Sequence, residues 1–258
     1  MMSIFEKELP ALQNTILAKE HHPSLGRPCH CGLQNARYRC RSCTQCHLRC
    51  QTCIVEDHQL SAWHHLEEWV GTHFSRTSLY YVGYHHRLGH GGNHCPNRDK
   101  STLVKNMVIV HTNGFHKIMV EFCACDGRVT PAYQLVDAQL FPTTLEDPET
   151  AFTFELLKTF QKLSLHSKIN AYVYHCSLQE MTDGAFVHDV PNRYHEFVRV
   201  NRVWSHLGQV RRSGQCHDFD KIFPYRRPGC IAVRCPACPE VHINVDKTTI
   251  EMAREDEA

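Results

Sequence analysis

Cysteine and histidine are concentrated in one stretch of the first quarter of the chain. Seven cysteines lie between Cys29 and Cys53, and His58, His64 and His65 follow them. Thiolates and imidazoles at this density are typical of zinc sites, in which four such ligands surround the ion as a tetrahedron. We therefore expect this stretch to bind zinc.

The spacing of these residues predicts two ions with interleaved ligands. Paired cysteines, as in C-x2-C, can place two thiolates on one ion. One predicted set is Cys29, Cys31, Cys50 and Cys53, and the other is Cys40, Cys43, His58 and His64. Cys46 and His65 remain spare candidates, because spacing does not fix connectivity. This order of ligands is that of a B-box or treble-clef finger.

A disulfide framework is the alternative for so many cysteines. It requires an oxidising compartment, and the first residues, MMSIFEKELPALQ, contain no apolar secretory core. The count of 15 cysteines is odd, so they cannot all pair with one another. Both observations favour metal ligation.

A third set is predicted around a β-hairpin. Asn113-Gly114 lies between two apolar segments, 108–111 and 117–122, and this dipeptide between β-forming residues indicates a two-residue hairpin turn. The second strand ends on a Cys-x-Cys pair, and a glycine-rich loop upstream contributes a histidine and a cysteine. The predicted ligands are His90, Cys95, Cys123 and Cys125.

A fourth set is predicted near the end of the chain. Three thiolates lie in the pattern C-x4-C-x2-C, and a histidine upstream completes a set of four. The predicted ligands are His217, Cys230, Cys235 and Cys238, with Cys216 and His242 as alternatives for the fourth position. In total we expect about three or four structural Zn²⁺ ions.

The remaining elements are predicted from periodicity and capping residues. A short helix is expected over 11–20 and an extended segment over 129–147. A helix should follow with Asp147 as its N-cap and Pro148 at its first position. Two more helices are predicted over 169–181 and 191–210.

These elements give a fold class and an organisation into domains. The fold class is α+β: a small zinc-finger module of the B-box or treble-clef type, followed by a zinc-stapled β-hairpin and a helical region. The predicted segments are a linker with a short helix (1–25), a double-zinc finger (26–66), a second cysteine-rich domain (67–242) and a tail (243–258).

Charge is informative locally rather than in total. The net charge is only +1, but residues 27–53 contain five arginines and no acid. Such surfaces can follow a phosphate backbone, although arginine beside zinc thiolates can also simply offset their negative charge. The candidate nucleic-acid contacts are Arg39, Arg41, Arg199 and Arg202.

The sequence lacks the signatures of common zinc enzymes. The metalloprotease pattern H-E-x-x-H is absent. A deaminase requires P-C-x-x-C, whereas here the proline lies inside the pair, in Cys235-Pro236-Ala237-Cys238. We therefore expect a protein that is not an enzyme and has no small-molecule substrate. No run of about 18 apolar residues occurs, so no membrane span is predicted.

The motifs together resemble the CxC-type cysteine cluster associated with KDZ transposases of fungi. The carrying pieces include H-T-N-G-F-H (111–116), F-C-A-C (122–125), F-P-T-T (141–144), D-P-E-T-A-F-T-F (147–154) and C-P-A-C-P (235–239). The resemblance spans about residues 29–240, and the 67–242 segment would be the cluster domain.

The resemblance implies a zinc-chelating region that precedes a transposase domain with an RNase H-like core. The chain ends at Ala258, so a truncated copy lacking the catalytic domain is expected. The implied partners are DNA at transposon ends and other transposase chains, and the implied location is the nucleus. A zinc-scaffolded protein-interaction module and a degenerate transposon relic are the alternatives.

Overall fold

A computed structural model describes residues 2–20, 22, 24–45, 47–97, 103–125, 130–218 and 245–246. The fold is mixed α+β, which confirms the predicted class at that level. Contacts divide the chain into two compact units, Met1–Val200 and Asn201–Ala258. In the described residues, no helix is both long and apolar enough to cross a bilayer.

The first part of the chain builds a small antiparallel sheet. Helix α1 covers Met2–Leu17, and the sheet consists of β1 (Tyr38–Cys40), β2 (Leu66–Trp69) and β3 (Phe74–Thr77) in the order β1-β2-β3. Helix α2 (Gln51–Asp57) lies between β1 and β2 in sequence. The sheet and α2 together form the finger.

A five-stranded sheet follows. Its strands are β4 (His85–Arg87), β5 (Val104–His111), β6 (Gly114–Glu121), β7 (Leu140–Pro142) and β8 (Thr150–Thr153), in the order β4-β6-β5-β8-β7. Strands β5 and β6 form the predicted hairpin, but Gly114 is the first residue of β6 and lies opposite His111, so the two turn residues are Thr112 and Asn113 instead of the predicted Asn113 and Gly114. Strand β8 runs parallel to β5, and β7 pairs with it from the other side.

Within the described residues four more helices follow α2, and the first three of them contact this larger sheet. The four helices are α3 (Pro131–Asp137), α4 (Phe154–Ser167), α5 (Ala171–Thr182) and α6 (Tyr194–Arg212), with 3₁₀ turns at His90–Gly92, Val187–Asp189 and Gln215–His217. Helix α5 contacts β6, and α4 contacts β5 and β8. Phe160 of α4 packs on Phe197 of α6, with ring centroids 4.9 Å apart.

One continuous core joins the finger to the larger sheet. Ile54 and Leu66 of the finger belong to the same buried cluster as Ile109 and Ile118 of the hairpin. The predicted domain boundary at residues 66 and 67 therefore falls inside β2 and crosses this core, because the finger uses the sheet to bury its apolar face.

Three predicted elements differ from the structure. The helix expected to begin at Pro148 begins at Phe154, because residues 150–153 are all buried and pair as β8; Thr153 is its N-cap and accepts from the Leu156 N–H. The extended segment 129–147 contains α3, with Pro131 at its start, and β7. Helix α1 runs through Pro10 instead of beginning after it.

Gly114 gives the first testable prediction. Its φ is +127°, and an added Cβ would lie 2.4 Å from the Thr182 Oγ1. We expect Gly114→Ala to destabilise the protein by about 2–4 kcal/mol in urea denaturation, since both backbone strain and overpacking contribute. Gly83→Ala, at φ +84° with open space around it, measures the strain alone and should cost about 1–2 kcal/mol. Equal losses for the two variants would contradict the packing at Thr182.

Candidate metal centres

Among the described residues, twelve cysteine and histidine side chains come together in three groups of four, and each group could hold a metal ion. Within each group the candidate ligand atoms all lie within 4.8 Å of one another. Group 1 is Cys29, Cys31, Cys50 and Cys53; group 2 is Cys40, Cys43, His58 and His64; group 3 is His90, Cys95, Cys123 and Cys125.

Group 1 joins the loop before β1 to the start of α2. The Cys29 N–H donates to the Gln34 carbonyl, and this turn holds Cys29 and Cys31 side by side. Cys50 is the residue before α2, and its N–H donates to the Cys29 Sγ at 3.3 Å. The Sγ atoms of Cys31 and Cys50 are 3.7 Å apart. Four thiols are thus held around one point.

The pKa values within group 1 move in opposite directions. Burial has the largest single effect and raises the pKa of Cys29, but hydrogen bonds from the N–H groups of Cys31 and Cys50 and from the side chains of His30 and Cys50 together outweigh it and lower the value to about 6. Burial, followed by the neighbouring thiols, raises the pKa of Cys53. One thiolate therefore forms readily and opposes the next, which is the electrostatic situation that a bound cation relieves.

Group 2 lies between the end of β1, the end of α2 and the residue pair before β2. The Cys43 Sγ is 3.6 Å from the His58 Nε2 and 3.4 Å from the His64 Nδ1. The Cys40 Sγ is also 3.4 Å from the His64 Nδ1. Burial lowers the pKa of His64, which favours the neutral imidazole that a metal ligand requires.

His58 is oriented for ligation by a backbone contact. It is 1% exposed, and its Nδ1–H donates to the Ile54 carbonyl at 2.7 Å. This hydrogen bond fixes the tautomer in which Nε2 carries the lone pair and faces Cys43. Metal-binding histidines commonly have such a second contact through the ring nitrogen that does not bind the ion.

Groups 1 and 2 are interleaved through α2. Cys50 and Cys53 lie at the start of this seven-residue helix, whereas His58 directly follows its end. The ligands therefore alternate in pairs along the chain, in the order group 1, group 2, group 1, group 2. Displacement of α2 would disturb both groups together.

Group 3 connects the loop after β4 with the end of β6. The His90 Nε2 lies 3.3 Å from both the Cys123 and the Cys125 Sγ atoms. The Cys95 Sγ is 3.5 Å from the Cys125 Sγ and 4.0 Å from the Cys123 Sγ. The group closes the open end of the hairpin onto the neighbouring loop.

Gln134 of α3 forms two hydrogen bonds with the backbone of Cys123 in group 3. Its Oε1 accepts from the Cys123 N–H at 2.8 Å, and its Nε2 donates to the Cys123 carbonyl at 3.0 Å. This pair of hydrogen bonds holds Cys123 beyond the last residue of β6. The local sequence did not indicate this role, because the glutamine lies eleven residues further along the chain.

The distances in all three groups fit a tetrahedral ion. Ligands bound at the zinc–sulfur and zinc–nitrogen bond lengths lie about 3.5–3.8 Å from one another in a tetrahedron. The Cys31–Cys50 pair of group 1 and the Cys95–Cys123 and Cys95–Cys125 pairs of group 3 have sulfur–sulfur separations of 3.5–4.0 Å. These are far from the roughly 2.05 Å of a disulfide. No cysteine in the described part of the chain forms a disulfide.

The fourth predicted set lies almost entirely outside the described residues. His217 is at the end of the last 3₁₀ turn and is exposed. Cys230, Cys235 and Cys238 lie outside the described residues, as do the alternative ligand His242 and the spare cysteine Cys46.

His65, the other spare candidate, has a structural contact that the sequence did not reveal. Its Nε2–H donates to the Asn113 carbonyl at 3.0 Å, and its ring stacks on His116. Asn113 in turn donates from Nδ2 to the Trp63 carbonyl at 2.7 Å. The tip of the hairpin is thereby bound to the segment that carries the group 2 ligand His64.

The arginines proposed as nucleic-acid contacts differ in how much of each side chain is exposed to solvent. Arg39 is only 14% exposed; its guanidinium lies over the Phe74 ring and donates to the Glu67 Oε2 at 2.7 Å. Arg39 is therefore engaged in contacts within the protein and is not among the exposed cations that a nucleic acid could contact. Arg41 is 58% exposed and lies 3.4 Å from Glu67. Arg199 and Arg202 are exposed on α6.

Comparison with protein families identifies one match. Residues 79–185 match the family described as "CxC2 like cysteine cluster associated with KDZ transposases". The match contains group 3, the five-stranded sheet and α3 to α5, and is shorter than the resemblance expected over 29–240. No curated protein and no solved structure matches the chain.

Substitution of single ligands should separate the groups. We expect Cys125→Ser to remove one ion, and Cys53→Ser to remove two, because α2 carries ligands of both groups in the finger. Native mass spectrometry counts the ions. Cys176→Ser, a free cysteine of α5 outside the groups, is the control and should keep the wild-type number. An unchanged count in Cys125→Ser would exclude group 3 as a metal centre.

Proposed function

We propose that the chain is a non-catalytic, zinc-stabilised module of the KDZ-transposase type. The observation that carries the proposal is the assembly of twelve soft ligands into three groups with tetrahedral spacing. Four protein ligands complete the coordination of zinc, so no position is left for water or a substrate. In this proposal groups 1 and 2 form a cross-braced finger of the B-box or treble-clef type. Group 3 joins the end of the hairpin to the loop after β4.

Nucleic acid is the proposed partner. The support is the family match of residues 79–185 together with exposed cations at Arg41, Arg199 and Arg202. Contacts to phosphates need exposed cationic side chains on ordered elements, and zinc sites supply that order in a small module. We propose DNA at transposon ends as the target, with other transposase chains as further partners and the nucleus as the location.

One feature favours a second candidate, a protein-interaction module. Helix α1 exposes a row of apolar side chains at steps of three and four residues: Met2, Phe5, Leu9, Leu12 and Ile16. An apolar stripe of this kind on an exposed helix can pack against a partner helix. In this alternative the zinc centres would serve only to present the binding surface.

Chelation tests the stabilising role of the metal. A strong chelator added to the purified protein should release every ion and abolish the cooperative unfolding transition, because metal binding supplies folding free energy in such modules. Circular dichroism and native mass spectrometry follow structure and ion content in the same titration. Added Zn²⁺ should restore both signals. A chain that loses its ions and keeps its full thermal transition would contradict the proposal.

Salt dependence tests nucleic-acid binding. We expect the dissociation constant for a labelled DNA to rise steeply between about 50 and 200 mM salt, since phosphate contacts release counterions. The double variant Arg199→Glu, Arg202→Glu should weaken binding and reduce the salt slope by about 2, roughly one per lost contact.

A matched control has the same change in net charge. Lys158→Glu with Lys162→Glu reverses two exposed cations of α4 and should leave binding unchanged. Absence of DNA binding by the zinc-loaded wild-type chain would remove the nucleic-acid proposal and favour the protein-interaction module.

A further inference from the structure

A cleft of about 520 Å³ opens between the finger, the hairpin and the C-terminal end of α5. Its buried wall includes Leu66 of β2, Phe115 of β6 and Val190. None of the residues of groups 1 to 3 lines it. The cleft is therefore a feature separate from the three groups.

Two aromatic side chains at the cleft are exposed. Tyr81 is 69% exposed and Phe186 is 65% exposed, although both line the cleft. Rings in this position contribute little to folding and present flat apolar surfaces to whatever enters the cleft.

Three cations line the same cleft. Arg41 is 58% exposed and Arg76 is 47% exposed, and Lys117 is exposed on β6. Within the part of the chain that the structure describes, no ion pair involves Lys117; its Nζ lies 4.4 Å from the centre of the Tyr80 ring. Positively charged side chains thus lie among aromatic side chains along the cleft.

Acidic side chains reduce this charge only in part. The Asp183 carboxylate pairs with Arg76 at 3.1 Å and also accepts the Ala185 and Phe186 N–H groups. Asp189 lines the cleft as well. With three cations and two acids among the lining residues, the local balance is positive, and Lys117 carries the charge least compensated by a carboxylate.

We propose that this cleft binds single-stranded nucleic acid, with bases stacked on Tyr81 and Phe186 and phosphates near Arg41, Arg76 and Lys117. The proposal rests on the proposed nucleic-acid function and names the surface that performs it. Aromatic rings and cations in one groove are what sequence-tolerant binding of single strands requires. A duplex keeps its base faces stacked inside, so it cannot use the two rings.

The test uses the zinc-loaded full chain and a fluorescently labelled deoxythymidine oligonucleotide. Fluorescence anisotropy should show tighter binding to the single strand than to a duplex of equal length. Tyr81→Ala and Phe186→Ala should each weaken binding by about tenfold, which is the usual effect of losing one stacked base. Lys117→Gln should weaken binding and lower the salt slope by about 1.

The chain offers matched controls for each change. Tyr133→Ala removes a tyrosine of α3 that is 65% exposed and lies outside the cleft, and Lys158→Gln removes an exposed lysine of α4. Both should bind as the wild type does. Ion counts and thermal transitions for all variants check for misfolding, which we do not expect because every side chain substituted in this test is exposed.

The possible outcomes distinguish failure of the cleft proposal from failure of the proposal that the protein binds nucleic acid. If only the Arg199 and Arg202 variants lost binding, or if the protein preferred duplex, the proposal for the cleft would be wrong. The proposal that the protein binds nucleic acid would still stand. No binding of any nucleic acid would overturn both. A polyglutamate peptide that displaces the strand at equal concentration would assign the cleft to acidic proteins and contradict the inference.

Discussion

The constraint on which the structure depends is that thiolates held at tetrahedral spacing repel one another. Groups 1 to 3 contain nine cysteines in all, and several lie buried with their sulfur atoms less than about 4 Å apart. Without a cation, formation of one thiolate opposes the next: the Ala124 N–H lowers the pKa of Cys95 to about 7, and the neighbouring Cys95, together with burial and Cys123, raises the pKa of Cys125 to about 11. A bound ion converts this repulsion into the strongest cross-link available to the chain.

The finger needs that cross-link more than the larger sheet does. Helix α2 has seven residues, and isolated helices of this length are unstable in water. It is held because its ends belong to two different groups of ligands. The larger sheet has long paired strands, β5 and β6, and a core of aliphatic and aromatic side chains. Asn113 at the tip of the hairpin bonds the two parts together through Trp63 and His65.

The metal groups could be predicted from sequence because ligation depends on residue type and local spacing. The hairpin was found for the same reason, through Asn113-Gly114. Strand β8 was missed because its partner Val108 lies about forty residues upstream of Thr150, and no local signal reports such a pairing. The sequence shows His65 only as a spare ligand candidate, because its use as a donor to Asn113 depends on contact between the finger and the hairpin.

The distribution of charge argues against treating the basic stretch of the finger as a ready phosphate surface. Four of its five arginines pair with acids of the same module: Arg37 with Glu68, Arg39 and Arg41 with Glu67, and Arg49 with Asp57. These acids all follow residue 53, so the sequence window that contained five arginines and no acid was too short to include their partners. A four-cysteine zinc site retains a charge of about −2, which adds to this compensation. Cations available to a polyanion must therefore be sought on the exposed part of Arg41, on the hairpin and on α6, where carboxylates are fewer.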